Sequence, residues 1–369
     1  MASDIYSLAI VCIGLLLNLV LFSHFPKLPP VRKRGYQPKV SIIIPARNEE
    51  ENLSHLLGDL EAQSFKPYEV ICVDDDSCDG TAKIAKSYHA TLISLHNKPQ
   101  GWTGKTWACQ NGANLATGEL FLFLDADVRL GSDGLARLIQ AFNENECTIS
   151  VQPFHKTEKP YEQISLLFNL VQIAANGTTL PWDATLGLHG PMIFIPKEHY
   201  KEIGGHESVR SVVVEDLALG QELKKAKLPH KLFIGDEELS YRMYSTGLKS
   251  IFQGWVKNFA TGAANTSFLM FTMIFFWIGS LTNSLRYLIQ YAISGNQPML
   301  LAHVGLYLVW VIILAVISRK IGRFHPLAFV FFPILVLAFL LIFIVSLCKR
   351  LLGLPIFWKG RVVAGRKKA

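Results

Sequence analysis

Apolar and polar positions divide the chain into three zones. Positions 5–22 form a nearly unbroken apolar run, close to the roughly 20 residues a helix needs to cross a hydrocarbon core. From 40 to 125, short apolar runs alternate with mixed stretches. Positions 40–44, 70–73, 91–94 and 120–124 read as strands, and 52–63, 81–88 and 105–116 read as helices. That alternation predicts an α/β unit with a mostly parallel sheet and ligands at the carboxyl ends of its strands. Three further apolar segments follow at 268–293, 299–317 and 327–347. The predicted organisation is a transmembrane anchor and basic linker over 1–37 and an α/β domain over 38–262. Membrane segments over 263–348 and a basic cytoplasmic or interfacial tail over 349–369 complete it.

Charge sharpens this picture. Of 369 residues half are hydrophobic, and the formal net charge is +7. The flanks carry +3 over 1–37 and +11 over 259–369, which leaves −7 for the middle. An acidic middle argues against a nucleic-acid reader, whose folded domain should itself be basic. Basic flanks are instead what holds membrane-proximal loops on the cytoplasmic side. Asp4 precedes the first apolar run, and Lys27, Arg32, Lys33 and Arg34 follow it. That order predicts an uncleaved anchor with the N-terminus outside, the α/β domain in the cytoplasm and the chain in the cell membrane as a multi-pass protein.

Arg319, Lys320 and Arg323 lie between the last two apolar segments, and the tail from Lys349 holds seven basic residues and no acid. Both ask to be inside, which three full spans starting from an internal domain would not allow. The segment 327–347, interrupted by Pro333, is therefore expected to be re-entrant or interfacial. The six cysteines form no C-x-x-C pair, which fits reduced thiols in a cytoplasmic domain rather than a zinc site or disulfide framework.

Candidate chemistry stands where the strands end. Pro45-Ala46-Arg47-Asn48-Glu49 follows the first strand, Asp74-Asp75-Asp76-Ser77-Cys78-Asp79-Gly80-Thr81 the second, and Asp125-Ala126-Asp127 the strand at 120–124. One such acid alone reads as a helix cap or solvated turn, and Asp79 can be no more than that. Three in order in one α/β unit point to a ligand. A carboxylate can accept the ring N–H of a uracil. An Asp-x-Asp pair at a strand end is expected to present both carboxylates to one side and to hold a divalent cation, Mg2+ or Mn2+, through hard oxygen ligands. Such a cation neutralises a diphosphate leaving group. Lys105, in Gly101-Trp102-Thr103-Gly104-Lys105, offers a further positive contact but lacks P-loop spacing. His189 and His206 are candidate metal ligands, although a lone histidine is more often a hydrogen-bonded structural residue.

On these motifs, with Gly204-Gly205-His206 and Glu215-Asp216, residues 40–262 resemble the family 2 glycosyltransferases, which have the GT-A fold. The resemblance implies a UDP-sugar donor held by Pro45, Arg47, Glu49, Asp75, Lys105 and Asp125, with Asp75 on the nucleobase. It implies a metal on Asp127 with Asp125, and Asp216 with Glu215 as the catalytic acids, Asp216 being the acceptor-side base.

A narrower resemblance covers nearly the whole chain. Gly101-Trp102-x-Gly104-Lys105, Ser150-Val151-Gln152-Pro153, Phe168-Asn169-Leu170, Gly254-Trp255-x-Lys257 and Trp358-Lys359-Gly360-Arg361 are similar to the glycosyltransferases of staphyloxanthin-type carotenoid biosynthesis that act on 4,4'-diaponeurosporenoate. It implies transfer of glucose from UDP-glucose to a carotenoid or other lipid acceptor at the membrane. Hopene-associated and other carotenoid glycosyltransferases share the Gly-Trp-x-Gly-Lys element, so that piece alone does not choose an acceptor. Where polymer synthases carry Q-x-x-R-W, this chain has Gln253-Gly254-Trp255, which weakens a polymer synthase reading. Gln253, Trp255 and His206 are the acceptor-side candidates. A transporter is disfavoured because the apolar segments hold one arginine, Arg286, and no acid.

Overall fold

The structure is a computed structural model that describes residues 2–32, 36–262, 266–358 and 361–364. Its chain forms two compact units. One is Pro26–His155 with Leu186–Met243, and the other is Met1–Phe25 with Lys156–Thr185 and Tyr244–Ala369. The α/β unit is therefore smaller than the continuous domain expected over 38–262, because 156–185 and 244–262 belong with the apolar helices.

The α/β unit carries a seven-stranded sheet. In chain order its elements begin with β1 (Val40–Ala46), α2 (Glu50–Glu61), β2 (Glu69–Asp75), α3 (Thr81–Ser87), β3 (Thr91–Leu95), α4 (Gly104–Leu115) and β4 (Leu120–Leu124). They continue through β5 (Val128–Leu130), α5 (Gly134–Asn145), β6 (Thr148–Gln152), β7 (Phe154–Lys156), β8 (Met192–Pro196), α7 (Lys197–Glu202), α8 (Glu215–Lys225), β9 (His230–Ile234) and β10 (Leu239–Tyr241). The helix α1 is Ala2–Leu21 and α6 is Ser165–Ala175, both in the other unit.

Strand order is β3-β2-β1-β4-β8-β6-β9. All pairings are parallel except the two made by β8, which runs against β4 and β6. Strands β5, β10 and β7 pair in a smaller sheet.

Alternation along β1 explains its depth in the core. Ile42 and Ile44 join a cluster with Leu53, Leu56, Leu57 and Leu60 of α2. Ile43 joins the opposite cluster with Val73, Phe121, Phe123 and Ala108 of α4. A strand turns successive side chains to opposite faces, and the i, i+3, i+4, i+7 leucines of α2 make one helical stripe. Each such side chain, fully buried, contributes roughly 1.5–3 kcal/mol.

The topology also locates the site. β2, β1 and β4 are parallel neighbours, so the loops after Asp75, Ala46 and Leu124 leave one edge of the sheet. Because β8 is reversed, with Met192 opposite Leu124, the chain before Met192 arrives at that same edge.

The other unit contains α1, α6, α9 (Leu248–Gly262), α10 (Phe268–Ser294), α11 (Gln297–Ser318), α12 (Pro326–Val330) and α13 (Phe332–Leu351). Among the described residues four helices, α1, α10, α11 and α13, are long and apolar enough to cross a membrane. Their contacts with one another are partly polar. Ser280 Oγ donates to Val11 O at 3.0 Å, Trp277 Nε1 donates to Asn18 Oδ1 at 3.2 Å, and Ser7 Oγ lies 3.0 Å from both Tyr291 OH and His303 Nε2. Small and hydroxyl side chains at helix contacts suit packing in an apolar solvent. Their outward faces are apolar, with Phe268 at 85% and Ile293 at 83% exposed.

The expected interruption at Pro333 is corrected. The break falls at Phe331, and Pro333 stands in the first turn of α13, where proline's missing N–H costs nothing. α13 runs 20 residues and, like the other three, is long and apolar enough to cross a membrane. Lys33, Arg34, Lys359 and Gly360 lie outside the described residues. Trp358 is described, with Lys257 Nζ 5.0 Å above its ring.

Candidate active site

The loops after β1 and β2 are laced together. Arg47 donates through Nη1 to the carbonyl of Asp75, and at 3.0 Å to that of Asp76. Asn48 N donates to Ser77 Oγ and Glu49 N to Thr81 Oγ1, each at 2.9 Å, while Cys78 N donates to Asn48 Oδ1 at 2.9 Å. Asp79 accepts from Glu50 N at 3.2 Å and Thr81 N at 3.0 Å, which is the local structural role its position allowed. Asn48 and Asp76 sit at φ 52° and 58°, a left-handed conformation that asparagine and aspartate adopt more readily than other non-glycine residues. The structure thus brings Pro45, Arg47, Glu49 and Asp75 to one corner of the sheet edge. Arg47 acts there by holding the loop that follows Asp75.

A second cluster forms where β4 ends. Asp125, Ala126 and Asp127 lie in the turn between β4 and β5, closed by Val128 N donating to Asp125 O at 3.1 Å. The expectation that strand period aligns the two carboxylates does not apply in a turn. Asp125 Oδ1 is 2.6 Å from Lys105 Nζ, and the same ammonium is 3.0 Å from Glu215 Oε1. Lys105 is the second residue of α4, whose start is capped by Thr103 Oγ1 accepting from Thr106 N. Burial alone would push the Lys105 ammonium down, but the Asp125 and Glu215 carboxylates reverse this and hold it well above its ordinary value.

Glu215 and Asp216 open α8, where the helix dipole favours negative charge. Asp216 Oδ1 accepts from Leu217 N at 2.9 Å. Burial, reinforced by the neighbouring Glu215 carboxylate, pushes Asp216 up to about 7 against the pull of Lys105. Two adjacent acids thus differ in environment. Glu215 is ion-paired, and Asp216 sits where it can exchange a proton near neutrality.

The segment Gly187-Leu188-His189-Gly190-Pro191, noted in the sequence for its histidine, ties this cluster together by its main chain. Leu188 N donates to Asp216 O at 3.2 Å and Asp125 N donates to Pro191 O at 3.0 Å. His189 N donates to Ser150 Oγ at 2.7 Å, and Ser150 Oγ donates to His189 O at 3.0 Å. The His189 ring is buried, which pushes it down to about 3 and keeps it neutral.

His206 is likewise buried. Its Nδ1 is 2.9 Å from Tyr200 OH, its ring packs on Phe123, and burial pushes it down to about 3. It is a core residue, which corrects its placement on an acceptor surface. Trp255 is corrected in the same way. It is 0% exposed, stacks on Phe168 at 4.8 Å and donates through Nε1 to Ser165 Oγ, all within the helical unit. Its large ring is worth more as core than as a surface platform. Gln253 lies on the same helix, half-buried.

Among the described residues no three His, Cys, Asp or Glu side chains converge as a metal cluster. Asp125 and Asp127 remain a two-carboxylate set on one turn. Such a set fits a cation of the Mg2+ type, which is commonly held by one or two carboxylates and completed by substrate phosphates.

Residues 41–204 match the family model Glycosyl transferase family 2. The chain is 34% identical over 331 residues to 4,4'-diaponeurosporenoate glycosyltransferase of Staphylococcus aureus, covering 87% of each. It is 32% identical over 334 residues to the protein of that name from Staphylococcus haemolyticus, covering 87% of this chain and 88% of that one. Among solved structures, the mannosyltransferase PcManGT from Pyrobaculum calidifontis, in complex with GDP-Man and Mn2+, covers 93% of this chain. It superposes with TM-score 0.53 at 16% identity and is itself 99% covered. With its GT-A-like mixed sheet and acids at the strand ends, the chain belongs to glycosyltransferase family 2.

Proposed function

We propose that this enzyme transfers glucose from UDP-glucose to a carotenoid carboxylic acid such as 4,4'-diaponeurosporenoate, by single displacement with inversion. The observation that carries the reaction type is the cluster of Asp125, Lys105, Glu215 and Asp216 at one sheet edge. The acceptor class rests on similarity to the staphylococcal enzymes over 87% of the chain. An acceptor oxygen attacks the anomeric carbon as the bond to the β-phosphate oxygen breaks, and UDP leaves with that electron pair. A divalent cation held by Asp125 and Asp127, Mg2+ or Mn2+, supplies positive charge to the departing diphosphate when bound. Lys105, fixed between two carboxylates, keeps a preorganised positive charge beside Asp125. Asp216 orients the acceptor or takes its proton.

One observation favours a second reading, transfer to a hydroxyl of another polyisoprenoid, hopanoid or glycerolipid. A carboxylate pushed to about 7 is well tuned to deprotonate an alcohol, whereas an acid acceptor needs no base at neutral pH. Four apolar helices and basic flanks support a cell-membrane protein with its α/β unit in the cytoplasm, where such lipids are reached.

The test is mass spectrometry of lipids extracted from cells with and without the protein, followed by transfer from UDP-glucose to purified acid and alcohol acceptors. A hexose increment on a carotenoid acid supports the proposal. An increment on alcohols alone replaces the acceptor, and no increment on any lipid refutes both readings.

A further inference from the structure

The short path between Gly187 and Pro191 passes closer to the start of α8 than any side chain would permit. A Cβ built on Gly187 would stand 2.5 Å from both Leu217 Cα and Leu217 O, and one on Gly220 would stand 2.4 Å from Gly187 Cα. Two glycines therefore let main chain lie on main chain at the first turn of α8. Leu188 N seals this contact by donating to Asp216 O at 3.2 Å. Ser150 holds both main-chain polar groups of His189 from β6, which ties the segment to the sheet as well as to the helix.

Gly190 then faces the reactive group itself. A Cβ there would stand 2.8 Å from Asp216 Oδ2 and 3.2 Å from Asp216 Cγ. The neighbour that must yield is thus the Asp216 carboxylate. Its other oxygen is held by Leu217 N at 2.9 Å, so rotating away from a methyl group at position 190 breaks that bond. On its other polar side Gly190 O accepts from Lys105 Nζ at 3.4 Å, and the next residue, Pro191, accepts from Asp125 N at 3.0 Å. One five-residue segment therefore touches the donor-side acid, the shared ammonium and the acceptor-side acid.

We infer that Gly190 is a positioning residue for Asp216, and that the glycines at 187 and 220 form the seat that lets it take this place. The inference rests on the reading of Asp216 as the group that orients or deprotonates the acceptor. Its consequence is specific. An added methyl at 190 displaces the carboxylate by a few tenths of an ångström while leaving the donor loops untouched. Misplacement on the order of 1 Å costs about hundredfold in rate, so Gly190→Ala should lose about tenfold or more in kcat. Donor affinity should change by less than about twofold, because the interaction lost acts on the reacting acceptor rather than on ground-state donor binding.

The experiment is a double-mutant cycle on the full-length, detergent-purified protein, using Gly190→Ala, Asp216→Asn and both. Transfer is measured with whichever of the acid and alcohol acceptors loses more to Asp216→Asn. Calorimetric UDP-glucose affinity and thermal midpoint are recorded for each variant. The expected result is a loss of kcat in Gly190→Ala with donor affinity and midpoint preserved, and little further loss when it is added to Asp216→Asn, since a displaced group that is already disabled costs nothing more. Gly190→Ala should also move the inflection of the kcat/KM pH profile.

Additive losses in the cycle, an unchanged kcat in Gly190→Ala, or a loss that tracks donor affinity and midpoint would each overturn the inference. Gly187→Ala separates seat from contact. Its clash is with backbone, so it should lower the thermal midpoint as well as kcat, and a midpoint unchanged by it argues against the seat. If Asp216→Asn itself has no effect on either acceptor, the reading of Asp216 fails, which is a distinct outcome from the failure of Gly190.

Discussion

Lys105 and Asp125 meet at 2.6 Å, ammonium to Oδ1, and the same ammonium lies 3.0 Å from Glu215. The contact joins the start of α4 to the turn after β4 and to the start of α8. Replacing Lys105 with Met removes the shared positive charge and leaves Glu215 buried without it. We expect transfer to fall by about hundredfold or more, as for loss of a preorganised charge at a leaving group. Denaturant unfolding should show the α/β unit weakened by about 1–3 kcal/mol, less than for a fully buried pair because the lysine side chain is 32% exposed. Near wild-type turnover in Lys105→Met would remove Lys105 from the mechanism.

Asp216 gives a pH signature whose sign can be worked out. Its ordinary value is 3.8 and the fold pushes it up to about 7, so the folded enzyme holds a proton that the unfolded chain has lost. Stability from this group is complete below about 4 and declines as pH rises through about 7. Activity that needs the ionised base runs the other way. With an alcohol acceptor kcat/KM should rise to a plateau above about pH 7, and Asp216→Asn should abolish that rise along with about 10²–10⁴-fold of rate. With a carboxylic acid acceptor Asp216→Asn should keep substantial turnover. Single-turnover transfer to matched acid and alcohol acceptors from pH 5 to 9 distinguishes the two.

Asp127 shares the turn of Asp125 and is the carboxylate proposed to carry the divalent cation. Asp127→Ala should lose nearly all transfer while its circular dichroism and thermal midpoint stay close to the parent's. Chelation should do the same reversibly, with activity restored by Mg2+ or Mn2+. Full turnover in excess chelator would sink the metal assignment.

Arg47 binds two carbonyls in succession, those of Asp75 and Asp76. Both bonds leave one nitrogen, Nη1, at the far end of the guanidinium, a position that the shorter lysine side chain does not reproduce. Arg47→Lys should therefore raise the donor KM by about tenfold, the scale of a lost hydrogen bond to a charged group, with a smaller effect on kcat. An unchanged donor KM would show that the loop after β2 needs no such clamp.

Membrane topology is open to direct measurement. Residues 38–258 should be protected from protease added to sealed cells and cleaved after permeabilisation, with a tag at the N-terminus accessible from outside. Cleavage within 38–258 in sealed cells would reverse the proposed orientation.

Much of the fold is legible locally. The run 120–124 coincides with β4, and 40–44 lies inside β1, because β-branched and aromatic runs announce buried strands without reference to anything distant. The apolar runs near the N-terminus and after 268 likewise became helices of spanning length. Helix α2 starts at Glu50, two residues before the expected 52 and three before its first buried leucine, Leu53, because the first-turn acids Glu50 and Glu51 favour a helix N-terminus without being buried. The acids at 75, 125 and 127 stand out in the sequence by their position at or just after strand ends.

What the tertiary structure decided are the relations between elements. Trp255 and His206 looked like surface chemistry, and the packing of Phe168, Ser165, Tyr200 and Phe123 made them core. Pro333 looked like an interruption, and its place in the first turn of α13 made it a helix start. Gly190 carried no signal of its own beside His189. Its importance exists only because the reversed strand β8 delivers it to the edge where α8 begins. Periodicity and capping act over a few residues, so sequence can report them. A clash, a shared ammonium or a shifted proton affinity depends on atoms far apart along the chain, and only folding brings them within reach of one another.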